Sequence, residues 1–252
     1  MKYFVVSDIH DRFCLMRNAL TAKGFDPARE DHRLILCGDA FYSGEEPGEL
    51  YEHLLDLHGK EKLILIYGNH DVELLDNLRA GHFGRSGNRT CAELLVRHLT
   101  GKNGLSDAEL IAECARLGFT DFLATVPVWY FETPHYVFTH GFIPTEKYAY
   151  RPDWRNATEK EWRTAAFRGD GMLLSMRYGV RVPGKTVVFG HYSAARCYRM
   201  KNAAPEDWEK KLYKKVSAVP PDGFRPYFGD TFIALDQSVA KTGFVNCIIL
   251  DD

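Results

Sequence analysis

The sequence predicts an α/β fold: two packed mixed β-sheets with helices outside them, and a helical insertion near the point where strand ends converge. Three observations lead to it. Short apolar runs end abruptly in Gly, Asp, Asn or His; the first of these runs are separated by stretches with helical apolar spacing; and the same strand signature returns in the C-terminal half.

In chain order, residues 3–6 run into Ser7-Asp8, residues 34–37 into Gly38-Asp39, and residues 63–67 into Gly68-Asn69. Each reads as a buried strand delivering polar groups at its C-terminal end. Leu15, Ala19 and Leu20 after the first run, and Leu50, Leu54, Leu55 and Leu57 after the second, have helical spacing, so this part alternates as βαβαβ. Residues 92–117 are helical in pattern, and the Gly101-Lys102-Asn103-Gly104 break with Ser106 as an N-cap divides them into two helices. Tyr136-Val137-Phe138 into Thr139-His140, and 186–189 into Gly190-His191, repeat the strand signature, and further strand-like runs follow at 231–235 and 245–250. In residues 141–184 strand signals are few, and Tyr148, Tyr150, Trp154, Trp162 and Phe167 stand among many arginines. That segment is either a lid over the site or a helical insertion whose aromatics pack onto the body.

With 252 residues, 45% of them hydrophobic and 26% charged, the chain can bury one large core, and a single domain over 1–252 is expected. A net charge of -2 gives no strong field for nucleic acid or an anionic membrane, so neither is an expected partner. The segment MKYFVVSDIH reaches an Asp and a His before a signal-peptide apolar region is complete, and no later run approaches membrane-spanning length. A cytoplasmic location is the expectation. The six cysteines are scattered without a CxxC pair, which fits reduced thiols rather than a disulfide scaffold, and Cys37 reads as a small buried hydrophobe.

The polar residues at the strand ends are the types that bind metal ions. In Asp8-Ile9-His10 the outer side chains point the same way if the strand continues through them, although a surface turn is the better reading of the pair taken alone. Asp39 and Asn69 offer hard oxygens, and His140 and His191 each place an imidazole after a strand. Singly, Asp39 fits a turn or helix cap, and either histidine fits a hydrogen-bonded structural role. Together, mixed Asp, His and Asn donors at successive strand ends supply the borderline N/O environment that Mn, Fe or Zn accepts.

The ordered string DxH, GD, GNH with a following acid, H and GH resembles the calcineurin-like metallophosphoesterase superfamily, and the resemblance spans nearly the whole chain. Leu173-Leu174-Ser175-Met176-Arg177 and the segment from Pro183 into Gly190-His191 are similar to bacterial members of the phosphoprotein (serine/threonine) phosphatase family. Ser193, where many other branches carry a further His, leans the same way. The resemblance implies a four-layer α/β/β/α sandwich and two divalent ions, with Mn the first expectation and Fe or Zn the others. Asp8, His10 and Asp39 would hold one ion; Asp39 would bridge to the second, held also by Asn69, His140 and His191. Such a pair lowers the pKa of a bridging water, so that hydroxide attacks phosphorus. His70 would face the phosphate and protonate the leaving oxygen or stabilise its charge.

Two positions depart from that family pattern. Tyr42 and Ser43 stand where many members carry an acid that orients the histidine and an arginine that clamps phosphate. Arg177 and Arg12 are the candidate replacements for the clamp, with Arg151, Arg155 and Arg168 behind them. His32, His53, His58, His82, His98 and His135 have no motif context and read as structural or exposed. The expected substrate is a phosphorylated small molecule, nucleotide or phosphoprotein, with phosphomonoester hydrolysis leading. Dinucleoside polyphosphate hydrolysis is the alternative, since the aromatic-rich segment can stack a base. A metal-poor binding module is the third reading, against which every ligand position and His70 are present.

Overall fold

The computed structural model describes residues 1–201, 204, 207 and 221–252. The first sheet contains β1 (Lys2–Val6), β2 (His32–Leu36), β3 (Leu63–Leu65) and β9 (Ile248–Asp251), in the order β3-β2-β1-β9. β1 pairs in parallel with β2, aligning Val5 with Ile35, and β2 with β3, whereas β9 is antiparallel to β1. The second sheet contains β4 (Phe131–Glu132), β5 (Tyr136–Phe138), β6 (Thr186–Phe189), β7 (Tyr227–Phe228) and β8 (Phe232–Ala234), in the order β4-β5-β6-β8-β7. Its central strands β5, β6 and β8 are parallel and its edge strands antiparallel.

Side-chain alternation turns these sheets into layers. Val5, Ile35, Phe138, Val188, Ile233 and Ile248 form a core between the two sheets. Their neighbours Phe4, Val6, Leu34 and Leu36 face the other way, into a core shared with α1 (Phe13–Ala22), α2 (Pro47–Gly59), α3 (Asn69–Ala80), α4 (Ser86–Thr100), α5 (Asp107–Arg116) and α6 (Phe119–Thr125). Val137, Val187, Phe189 and Phe232 likewise face a third core with α7 (Glu159–Arg168), α8 (Gly171–Met176) and α9 (Ala195–Lys201). The result is the expected α/β architecture of two mixed sheets flanked by helices. Among the described residues no helix is long and apolar enough to cross a membrane, and the six cysteines are free.

The helix pattern over 92–117 resolves into α4 and α5. Gly101 ends α4 in the left-handed region at φ 74°. Ser106 caps α5 by accepting from the Glu109 amide, while Glu109 accepts back from Ser106 N. The strand expected at 245–250 begins only at Ile248. Asn246 diverts the approach, because its side chain donates to Phe224 O and Leu235 O and its amide donates to the Gln237 side chain. In the segment 141–184, Trp154 and Trp162 are buried in the third core, whereas Tyr148 is 58% exposed.

Candidate metal centre

The strand ends do not continue as strand. β1 stops at Val6, and Asp8, His10, Asp39 and His191 all adopt left-handed backbone, at φ 51°, 44°, 52° and 64°. The alternation expected to aim Asp8 and His10 together is therefore not what places them. Their backbones are tied instead to the exit of β2: Asp8 N donates to Gly38 O at 3.1 Å and His10 N to Asp39 O at 3.1 Å. Left-handed backbone at non-glycine residues costs on the order of 1–3 kcal/mol each and is retained where the surroundings over-determine it. Close approach also demands glycine here: a Cβ on Gly68 would lie 2.0 Å from Asp39 N, and one on Gly190 would lie 2.0 Å from an Asp8 carboxylate oxygen.

Two groups of donors result, His10 with Asp39 and His70, and Asp39 with His140 and His191, the atoms within each lying no more than 4.8 Å apart. Asp39 belongs to both. His140 Nε2 lies 3.4 Å from Asp39 Oδ2 and 3.1 Å from Asn69 Oδ1, and its Nδ1 meets Cys37 O at 2.9 Å. Asp8 is buried against the second group, accepting from His191 N at 3.0 Å and from the Ser7 hydroxyl. Asp8, His10, Asp39, Asn69, His70 and His191 all line one cavity of about 260 Å³, which Lys241 also borders.

The donor set fits divalent ions. Buried His10 Nδ1 and His191 Nε2 have no hydrogen-bond partner. Burial pushes His10 down to about 4 and His191 to about 3, so both imidazoles are neutral at physiological pH, the form that ligates. Burial alone would raise Asp39, but the neighbouring His140 and His10 outweigh it and hold the carboxylate ionised. His140 moves the opposite way: burial works to lower it, and Asp39 raises it above the usual imidazole range. A cation beside Asp39 would take over that pairing.

Some expected residues lie elsewhere. Arg177 is exposed, with its guanidinium 5.5 Å from the Tyr178 ring centroid, and it is not among the residues bordering the cavity. Arg12 donates to His10 O at 2.9 Å, which places it beside the centre. Tyr42 does not hydrogen-bond His70; it stacks on it, with ring centroids 3.8 Å apart and planes 16° apart. Two residues absent from the expectations belong here. Asp236 borders the cavity, buried, and burial raises its carboxyl to about 6. It follows the 231–235 run just as Asp39 follows its own, so the strand-end signal was available. Glu73 lies 3.7 Å from His70 Nδ1, and its signal was the i,i+3 spacing on a helix.

A family model described as calcineurin-like phosphoesterase matches residues 1–230, and the chain belongs to that family. No curated protein matches the sequence significantly. The crystal structure of a cold-active protein-tyrosine phosphatase from a psychrophilic Shewanella species is 15% identical over 100% of this chain and 75% of its own, with a TM-score of 0.54. That of a protein provisionally named a diadenosine tetraphosphatase is also 15% identical, over 100% of this chain and 94% of its own, with a TM-score of 0.50. At such identities the likeness shows the fold alone. The family and the two donor groups together support metal-dependent phosphoesterase chemistry with a two-metal cofactor.

Proposed function

We propose that the chain hydrolyses phosphomonoesters at a dinuclear centre built around Asp39, in the manner of the bacterial phosphoprotein phosphatases it resembles. The observation that carries this reading is that Asp39 is common to both donor groups. In this assignment Asp8 takes the place of His70 beside His10 and Asp39 on one ion, leaving His70 free for the substrate, and Asn69, His140 and His191 join Asp39 on the other. Two divalent ions held there, with Mn the first choice and Fe or Zn next, would supply Lewis-acid activation of water and of the phosphoryl oxygens. The chain's own contribution is placement. His70 stands at the rim, its Nε2 4.0 Å from Asp39 Oδ2, where it can hand a proton to a departing oxygen. Lys241 borders the cavity and Arg12 is bonded to the His10 carbonyl, so these two cations are the candidates to meet the phosphate.

Dinucleoside polyphosphates are the second reading, favoured by a neighbouring cavity of about 340 Å³ bordered by Tyr148, Tyr192, Arg151 and Arg168. The rings of Tyr192 and His191 are 4.3 Å apart, so that cavity adjoins the metal centre. Turnover of an aryl phosphate, a phosphoserine peptide and diadenosine tetraphosphate, each with Mn added, separates the two. The phosphatase reading expects the monoesters to be cleaved; cleavage of the dinucleotide alone rejects it.

A further inference from the structure

We propose that Glu73, backed by Arg85, is the carboxylate that positions His70, taking the part of the acidic residue missing at Tyr42. The inference rests on the phosphatase reading above. His70 and Glu73 lie one turn apart on α3, and His70 Nδ1 is 3.7 Å from Glu73 Oε2. Both atoms are buried; His70 Nδ1 has no hydrogen-bond partner, and Glu73 Oε2 is met only by the Arg85 guanidinium. A shift of less than about 1 Å brings the two atoms to hydrogen-bond distance, which would satisfy the orphaned nitrogen. The two nitrogens of the ring thus face different ways: Nδ1 toward Glu73, and Nε2 toward Asp39 and the metal centre. A carboxylate accepting Nδ1–H fixes the ring's orientation and resting tautomer, so that once Nε2 has taken a proton from solvent, that N–H is aimed at the departing oxygen and the proton passes to it.

The start of α4 buttresses this pair from outside. Arg85, its N-cap residue, places a guanidinium nitrogen 3.2 Å from Glu73 Oε2 and holds the carboxylate in place. Gly87, in the first turn, leaves room for Tyr42, since a Cβ there would lie 2.5 Å from the tyrosine ring. Tyr42 in turn covers a face of His70. A stacked ring fixes the plane and leaves the nitrogen-bearing edge open, so Tyr42 and Glu73 constrain the imidazole in complementary directions.

The test uses Glu73→Met, which keeps length but removes the acceptor, and Glu73→Gln, which keeps an acceptor without charge. Mn-loaded proteins are compared on 4-nitrophenyl phosphate, whose leaving group needs no proton, and on an alkyl phosphate, whose leaving group does. Glu73→Met is expected to lower kcat on the alkyl ester about 10- to 100-fold while the aryl ester falls far less, with Glu73→Gln intermediate and KM unchanged. Equal losses on both esters, or no loss on either, overturn the proposal. Ring nitrogen shifts of histidine-labelled protein, with the His70 signals assigned by His70→Gln, give a readout independent of turnover. Nδ1–H is expected in the wild type and in Glu73→Gln, with a move to Nε2–H in Glu73→Met; an unchanged spectrum rejects the pairing. Wild type that cleaves neither ester sinks the phosphatase reading, and the ring shifts still decide the role of Glu73.

Discussion

Asp39 has the most to lose from substitution. It accepts from the His70 amide at 2.9 Å, holds His140 by charge, and is common to both donor groups. Asp39→Asn removes the ionised carboxylate, and metal affinity should fall by more than the roughly 10- to 100-fold typical of outer-shell changes, as equilibrium dialysis would measure. Asp11 offers a different test. Its carboxylate accepts from Tyr42 N and Gly44 N, yet burial raises it from 3.8 to about 7. A carboxyl raised on folding contributes stability that is full below its unfolded pKa and lost as pH rises through the folded one. Between about pH 4 and 7, then, metal-free wild type should lose ground to Asp11→Asn, which keeps an accepting oxygen and does not titrate. Thermal midpoints at pH 5 and pH 8 check this, and a constant difference between the two proteins would reject it. At this scale the sequence was legible wherever an Asp, Asn or His closed an apolar run. Glu73 was hidden because i,i+3 spacing on a helix is common and gains meaning only once His70 is known to border the centre, and the motif context of Arg177 does not say whether its side chain borders the cavity.

The elements explain why the donors meet. The exits of β1, β2 and β6 bend within three residues into left-handed or glycine backbone, so Asp8, Asp39 and His191 are placed by turns rather than by pleat. That is why the expected common direction of Asp8 and His10 along a continuing strand failed although both residues reached the centre. Helix limits were more legible, because capping is local chemistry: Ser106 and Gly101 mark their helix ends by residue type alone. Two glycines give opposed predictions. Gly68→Ala forces a Cβ onto Asp39 and should cost about 1–3 kcal/mol, with weakened metal binding. Gly59→Ala, in α2 with nothing within 4 Å, should be neutral or stabilise by about 0.4–1 kcal/mol. Denaturant unfolding of the two variants reads both values.

Across the whole molecule the centre joins the two sheets. Asp8, His10 and Asp39 leave β1 and β2 of the first, while His140 and His191 leave β5 and β6 of the second. Ions held by both sets would cross-link the layers as well as activate water. At about 100 times Kd, each ion bound to the folded state alone adds roughly 2.7 kcal/mol, which for a chain of this size raises Tm by roughly 5–10 °C per ion; Asp39→Asn should lose most of that rise. The layering was readable from alternating and helical apolar periods, whereas the burial of Trp154 and Trp162 in the third core depends on tertiary packing that composition does not encode. The most direct test of the central claim is a Mn titration of chelated protein, following bound metal and 4-nitrophenyl phosphate hydrolysis together in wild type and Asp39→Asn. A dinuclear centre on Asp39 predicts that wild-type hydrolysis saturates near two ions per chain and that the variant loses both binding and turnover; hydrolysis undiminished in a variant with unchanged metal content would contradict it.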